Sequence, residues 1–170
     1  MSTEAKRALL GHFLAALAYR TQKALRDAPG DFGSFTVIKG VRTPAELVRH
    51  MTSVLGYART FFIGGNYWPE VLPTFDDEIA RFHDMLEILS RHLLNDELLG
   101  QMTEEHLLQG PFSDAMTHAG QLALLRRLAG APVRPENFIV AEIHPDRLGR
   151  DQAQPVSPDK VWAEEPKTTD

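Results

Sequence analysis

Four long stretches of the chain repeat apolar residues at intervals of three and four, and glycine or proline clusters lie between them. Apolar residues with this spacing lie on one face of an α-helix, and that face has to be buried against another element. No two segments show the paired alternation that is typical of neighbouring strands, and residues 35–38 are the only strand-like run. The sequence therefore predicts an all-α four-helix bundle.

The second helix has the clearest start signal. Thr43 is followed by Pro44 at the first helical position and by Glu46 three residues after the threonine. In this arrangement the threonine and glutamate side chains each satisfy a backbone amide that the helix leaves free. The pattern predicts a helix that begins at residue 44 and ends at Gly64-Gly65.

The other helices have weaker but similar signals. The predicted ranges are about Thr3 to Asp27 for the first helix, Thr74 to near Asn95 for the third, and Gly110-Pro111 to Leu128 for the last. A short helix that begins at Thr103 is expected between the third and the last. Gly130 is typical of a helix end because glycine readily takes the left-handed conformation there.

A change in character near residue 132 divides the chain into a bundle and a tail. The length of 170 residues is that of one ordinary domain. Six of the eleven prolines fall in the last 39 residues. We predict a helical bundle over residues 1–132 and a proline-rich C-terminal extension of the same domain over residues 133–170, packed on the bundle to about Val161 and loose after it.

Composition excludes several classes of partner. The formal charge of −5 gives no general attraction to nucleic acid or to anionic membranes. The longest stretch without a charged residue, residues 8–19, is shorter than the roughly 20 residues that a membrane-spanning helix needs. A helical period and His12 within that stretch favour a cytoplasmic protein over a secreted one. Because the chain has no cysteine, any metal must be bound by His, Asp or Glu.

The most specific local feature is the pair Asp114 and His118 in the last helix. Residues four positions apart lie on the same helix face, close enough to share an ion. The spacing alone also fits a simpler interpretation, in which Asp114 offsets the helix dipole in the first turn and His118 is packed in the core.

Two segments carry a family resemblance. Residues 117–130, THAGQLALLRRLAG, resemble the last helix of the DinB-like four-helix-bundle superfamily, and residues 42–50, RTPAELVRH, resemble its second helix. The likeness extends over roughly residues 5–132. It implies a divalent metal ion bound by one histidine of the second helix and by two histidines four residues apart on the last. Those positions are His50, Asp114 and His118 here, so an aspartate stands where the family usually has a histidine.

The aspartate can be interpreted in two ways. Two histidines and a carboxylate form a competent site for zinc, and equally for iron or manganese, while the resemblance implies zinc or nickel. Alternatively, the aspartate marks a member that has lost its ion and kept the fold.

The other histidines of the helical segments, His12, His83, His92 and His106, need no function. His12 lies among small residues of the first helix, and small residues there leave room for a cleft beside the metal. In the tail, Phe138, Val140 or Ile143 is expected to dock on the bundle, and this leaves open whether Asn137 and Glu142 approach the site.

Two classes of function remain. The resemblance implies a metal-dependent enzyme that acts on a small molecule, either an S-transferase that uses a low-molecular-weight thiol or a hydrolase. The alternative is a non-catalytic dimeric binding or stress-response module. In both cases we expect a homodimer, because the family resemblance suggests one and an apolar group lies at one helix end, formed by Phe61, Phe62, Tyr67 and Trp68.

Overall fold

The structure, a computed structural model, describes residues 1–95 and 97–163. The long helices are α1 (Thr3–Leu25), α2 (Pro44–Ile63), α3 (Phe75–Leu94) and α5 (Ser113–Leu128), and a single turn, α4 (Glu104–Leu107), precedes α5. Within the described residues there is no strand, and only an isolated bridge joins Glu136 to Pro158. The predicted all-α bundle is confirmed.

The order of the helices around the bundle differs from their order in the chain. The main contacts of α1 are with α3 and α5, and those of α2 are also with α3 and α5. α1 and α2 therefore occupy opposite corners, and residues 26–43 cross from one to the other. Residues 97–112 lie on the corresponding connection from α3 to α5, which also occupy opposite corners. As a result α2 and α5 are neighbours, although about 50 residues separate them in the chain.

The apolar faces meet in one core between these helices. Each long helix contributes fully buried side chains, among them Leu14, Met51, Phe82 and Leu122. Of the described helices, none is long and apolar enough to cross a membrane.

The predicted starts of α2 and α3 are confirmed, and both are capping boxes. The Thr43 hydroxyl accepts from Glu46 N, while the Glu46 carboxylate accepts from Thr43 N at 2.8 Å. Thr74 and Asp77 make the same pair of contacts at the start of α3. Gly64, with φ of 76°, ends α2 at the predicted residue because only glycine takes this conformation without strain.

α1 ends at Leu25, two residues before the predicted end at Asp27. The backbone leaves the helical range at Arg26, which has a ψ of 133°, and Asp27 follows with a φ of 53°. The exposed carbonyls are bound by Arg126 of α5, whose guanidinium donates to Ala24 O at 3.1 Å and to Arg26 O at 2.9 Å. A side chain 100 residues away thus closes the helix.

The segment before α5 contains the largest departure from the expected secondary structure. The short helix at Thr103 is present as α4, but Leu108–Phe112 forms a π turn that joins it directly to α5. Gly110 within this turn has φ and ψ of −95° and −105°, outside the helical range. The strand-like run 35–38 is not a strand: it follows a 3₁₀ turn, Phe32–Ser34, and has no neighbouring strand to pair with.

The C-terminal segment contacts α1 and α3. The fully buried Glu136 carboxylate accepts from the Tyr19 hydroxyl at 2.9 Å and lies 2.8 Å from Lys23 Nζ. The Phe138 ring lies edge-on to Tyr19, with 6.2 Å between the ring centroids. Further along, the Leu148 carbonyl lies 2.6 Å from Nδ1 of the buried His83 in α3. The predicted loose end beyond residue 163 lies outside the described residues.

Candidate metal centre

α2 positions the first of the three predicted ligands. His50 lies two turns into the helix, so its place along the axis follows from the capping box at Thr43. The side chain is half-buried on the side of α2 that faces α5.

α5 carries the other two side chains. Asp114 is the second residue of the helix and His118 follows one turn later. The start of α5 is held by the Ser113 hydroxyl, which donates to Leu108 O at 2.6 Å across the π turn. The helix supplies a buried imidazole and, above it, a half-exposed carboxylate.

The structure brings the three predicted residues together. One ligand atom from each of His50, Asp114 and His118 lies within 4.8 Å of the other two. His118 Nε2 is 3.4 Å from Asp114 Oδ1, and the two imidazole rings stand at 71° with their centroids 4.8 Å apart. Ligand atoms at about 2 Å from one tetrahedral ion are about 3.3 Å apart, so the widest separation in the cluster has to shorten by about 1.5 Å. Side-chain adjustment alone can supply that change.

His118 has one nitrogen with a partner and one without. Its Nδ1 lies 2.8 Å from Gln121 Oε1, and because a carbonyl oxygen accepts, Nδ1 carries the proton. Nε2 is then the nitrogen with the lone pair. It is buried and has no hydrogen-bond partner, and it faces His50 and Asp114. An unsatisfied buried nitrogen is costly, and an ion at this point would satisfy it.

The electrostatic surroundings keep His50 ready to act as a ligand. Burial lowers the pKa of His50, and the positive charge of Arg42 and the neighbouring His118 lower it further, while Asp114 opposes them. A lower pKa favours the neutral imidazole, which is the form that binds a metal.

Two open cavities border the cluster. One of about 280 Å³ is lined by His50 and by Arg42, Arg49 and Trp68. The other, of about 650 Å³, is lined by Asp114 together with Tyr57, Pro111 and Thr117. Ser53 of α2 lines both. Small molecules can therefore approach the three side chains from solvent.

The other histidines lie away from the cluster. His83 is bound to the Leu148 carbonyl, His92 Nδ1 lies 2.7 Å from Glu97 Oε2, and His106 takes part in the cap of α4. The cleft expected beside His12 is not at the site: Ala8 and Gly11 of α1 line a different cavity, which includes none of the three candidate ligands.

The tail residues that were considered for the site also lie elsewhere. Asn137 caps the 3₁₀ turn Phe138–Val140, and its side chain accepts from Ile139 N. Among the described residues 133–163, none lines either cavity beside the cluster. The interpretation of the tail as surface packing is the one that fits.

Sequence reasoning missed two residues of the site. Gln121 lies one turn after His118, and the i, i+3 spacing of a histidine and an amide is the signal that could have found it. Arg42 lies just before the α2 cap, lines a cavity with His50 and lowers the pKa of that histidine by its charge. Spacing alone does not predict that placement.

Comparisons add no identification. No protein-family model, curated protein or solved structure matches this chain. Among the described residues, His50, Asp114 and His118 are the group of three whose geometry suits a metal ion. The chemistry of the site therefore has to be argued from these side chains.

Proposed function

We propose that the chain binds one divalent transition-metal ion through His50, Asp114 and His118. The observation that carries this proposal is the buried, unpartnered Nε2 of His118, which faces the other two side chains. Gln121 fixes the protonation of the opposite ring nitrogen, as hydrogen-bond acceptors commonly do for metal-bound histidines.

The donor set limits the choice of metal. Two imidazoles and one carboxylate suit zinc or nickel, and the hard carboxylate oxygen makes iron or manganese better competitors than in a site of three histidines. We propose zinc or nickel as the resident ion. Three protein ligands leave coordination positions open for a water or a substrate, as in catalytic zinc sites.

The open position favours an enzyme. Asp114 is half exposed, and of the two cavities that Ser53 lines, one includes His50 and the other Asp114. A purely structural ion is usually closed off by four protein ligands. When bound, the ion would supply a Lewis acid that polarises a substrate or lowers the pKa of a water or thiol. The residues around it bind and orient the small molecule.

The reaction class follows from the resemblance to the DinB-like superfamily. We propose a metal-dependent transferase that uses a low-molecular-weight thiol, with a hydrolase as the alternative. The chain has no cysteine, so the thiol nucleophile of such a transferase would have to come from a second substrate.

A non-catalytic dimeric module is the second candidate, and exposed apolar surface favours it. Val37, Ile38, Leu124 and Leu128 line one groove, and each is at least 43% exposed. Of the apolar group expected to form an interface, Phe61, Phe62 and Tyr67 are half-buried within the chain and only Trp68 is largely exposed. Sedimentation of the protein at several concentrations tests the proposed homodimer, which a single monomeric species throughout would exclude.

Metal binding is tested with protein purified without a histidine tag. Elemental analysis identifies the resident ion, and calorimetric titration of the metal-free protein with zinc gives the affinity. We expect His118→Ala to lower zinc affinity by at least about 100-fold, since one of three ligands is lost. His106→Ala, on the exposed end of α4, is the matched control and leaves the affinity unchanged. Equal metal content in the two variants would refute the assignment.

Activity is tested next, on the zinc- and nickel-loaded protein. A panel of electrophiles with and without thiols distinguishes a transferase from a hydrolase, because only the transferase consumes the thiol. Turnover that persists in His118→Ala would show that the activity does not depend on the bound metal.

A further inference from the structure

Arg42 is an exposed cation at the edge of the candidate metal centre, and its charge helps to lower the pKa of Glu46 in the same cavity. It forms no hydrogen bond or salt bridge with any described residue. It lines the 280 Å³ cavity with His50 and also a groove of about 720 Å³ with Gln121. The guanidinium therefore stands beside a candidate ligand and beside the residue that orients another.

The other charges of this cavity are already engaged. Glu46 is held in the capping box by Thr43 N. Arg49 Nη1 lies 3.4 Å from the buried Glu78 carboxylate, which also binds Arg81 and accepts from Leu72 N. Arg42 is thus the charge in the cavity that is left for a ligand. A guanidinium binds a carboxylate through two parallel hydrogen bonds, a pairing that favours planar organic anions.

An exposed aromatic ring also lines this cavity. Trp68 is 85% exposed and lines the cavity with Pro69. An indole offers a broad apolar surface, and such surface in solvent commonly marks a binding site. A cation and an aromatic face that line one cavity suit a molecule with a carboxylate at one end and an apolar body.

We propose that this cavity binds a small organic acid, with its carboxylate on Arg42, its apolar body against Trp68 and one end open toward His50. As a substrate site it rests on the proposed metal-dependent function, because it would present the acid to the ion. Binding of the acid itself needs only Arg42 and Trp68, so the two proposals can fail separately.

Benzoate and benzamide are suitable probes, because they have the same shape and differ in charge. The chain has two tryptophans, so Trp162→Phe leaves Trp68 as the only indole and makes fluorescence a local reporter. We expect benzoate to change Trp68 fluorescence in the zinc-loaded protein, and benzamide to bind at least about tenfold more weakly, since it lacks the charge.

Substitutions distinguish a direct contact between benzoate and Arg42 from a general attraction of benzoate to nearby positive charge. Arg42→Gln is expected to weaken benzoate binding by at least about tenfold, and Arg42→Lys by less. Lys39→Gln removes the same charge three residues away on an exposed loop and leaves binding unchanged. Zinc affinity, measured on the same variants, stays within about threefold of the parent, because Arg42 is not a ligand.

The outcomes distinguish the two proposals. Zinc binding without benzoate binding, or equal binding of benzoate and benzamide, overturns the acid site and leaves the metal centre standing. Benzoate binding that depends on Arg42 in a protein that does not bind zinc supports the acid site and refutes the metal-dependent function. Equal loss in Arg42→Gln and Lys39→Gln also overturns the acid site, since a nonspecific field would then explain the binding.

Discussion

Gln121 Oε1 lies 2.8 Å from His118 Nδ1 and so determines which nitrogen of that ring faces His50 and Asp114. Both residues are on α5, one turn apart, so this contact is local to the helix. The candidate centre therefore includes a side chain that would not touch the metal itself.

Removing this acceptor should weaken the centre. Gln121→Met keeps the length of the side chain and loses the carbonyl, so either ring nitrogen of His118 can carry the proton. We expect zinc affinity to fall by about 10- to 100-fold in Gln121→Met and to hold or rise in Gln121→Glu, whose carboxylate is a stronger acceptor. Competition with a zinc chelator measures the affinity, and Gln101→Met on an exposed loop is the control. Unchanged affinity in Gln121→Met would show that the hydrogen bond has no role in metal binding.

Asp114 has two possible roles, and zinc affinity separates them. If it is a ligand, Asp114→Ala lowers zinc affinity about as much as His118→Ala, while Asp114→His keeps or raises it because an imidazole replaces the carboxylate as a ligand. If Asp114 only offsets the helix dipole, Asp114→Ala changes helix stability by about 0.3–1 kcal/mol and leaves the affinity as it was. Equal zinc affinity for the parent and Asp114→Ala would eliminate the three-ligand site. Asp84→Ala, on the exposed face of α3, controls for the loss of charge.

Two glycines of the bundle should respond in opposite directions to alanine. A Cβ at Gly56 would lie 1.9 Å from the Tyr67 ring, so Gly56→Ala has to displace the loop after α2. We expect it to lower the free energy of unfolding by about 1–3 kcal/mol. Gly120 lies on α5 with nothing within 4 Å of an added Cβ, so Gly120→Ala should stabilise by about 0.5–1 kcal/mol. Urea unfolding of both variants checks the prediction, which a shift of the same sign would contradict.

His83 should make stability depend on pH. Burial lowers its pKa, although the hydrogen bond to Leu148 O opposes this, so the folded state holds the ring neutral at pH values where the unfolded chain has bound a proton. The free energy of unfolding therefore falls as the pH drops below about 6.5, the ordinary histidine pKa, and levels off below the lowered pKa of the folded state. His83→Asn keeps an N–H donor near Leu148 O and removes the titration. We expect a smaller loss of stability between about pH 7.5 and pH 5 in this variant than in the parent. Parallel profiles for the two proteins would mean that His83 is not the source.

The helix starts and the pairing of Asp114 with His118 were accessible from sequence because local rules determine them. Thr43, Pro44 and Glu46 satisfy their own backbone groups, and the spacing of Asp114 and His118 holds wherever α5 lies in the bundle. The approach of His50 to these two residues depends on α2 and α5 being neighbours. No local pattern predicts that, and the expectation came from the family resemblance.

Other features depend on contacts between distant parts of the chain. Arg126 binds the Arg26 carbonyl at the end of α1 although it lies 100 residues further along the chain, and nothing in the sequence of α1 predicts this contact. The order of helices around the bundle depends on two long connections, each of which joins helices at opposite corners. The same helical periodicity is compatible with other connections, so the order could not be predicted from it. The cavities beside the site are lined by α2 and its neighbours, whereas the sequence suggested a cleft beside the small residues of α1. Which helix borders the open side of the site depends on how the helices pack, and the sequence pattern does not show that.

The π turn at Leu108–Phe112 determines which side chains of the last helix, α5, face α2. Each residue of an α-helix turns the chain by about 100°, so inserting or removing one residue within the turn would rotate every side chain of α5 by roughly that angle. Asp114 and His118 would then swing away from His50 together, with their own spacing intact. The alignment of the two helices thus depends on a five-residue segment that includes neither histidine nor aspartate, and Gly110 and Pro111 become as important to the centre as its candidate ligands.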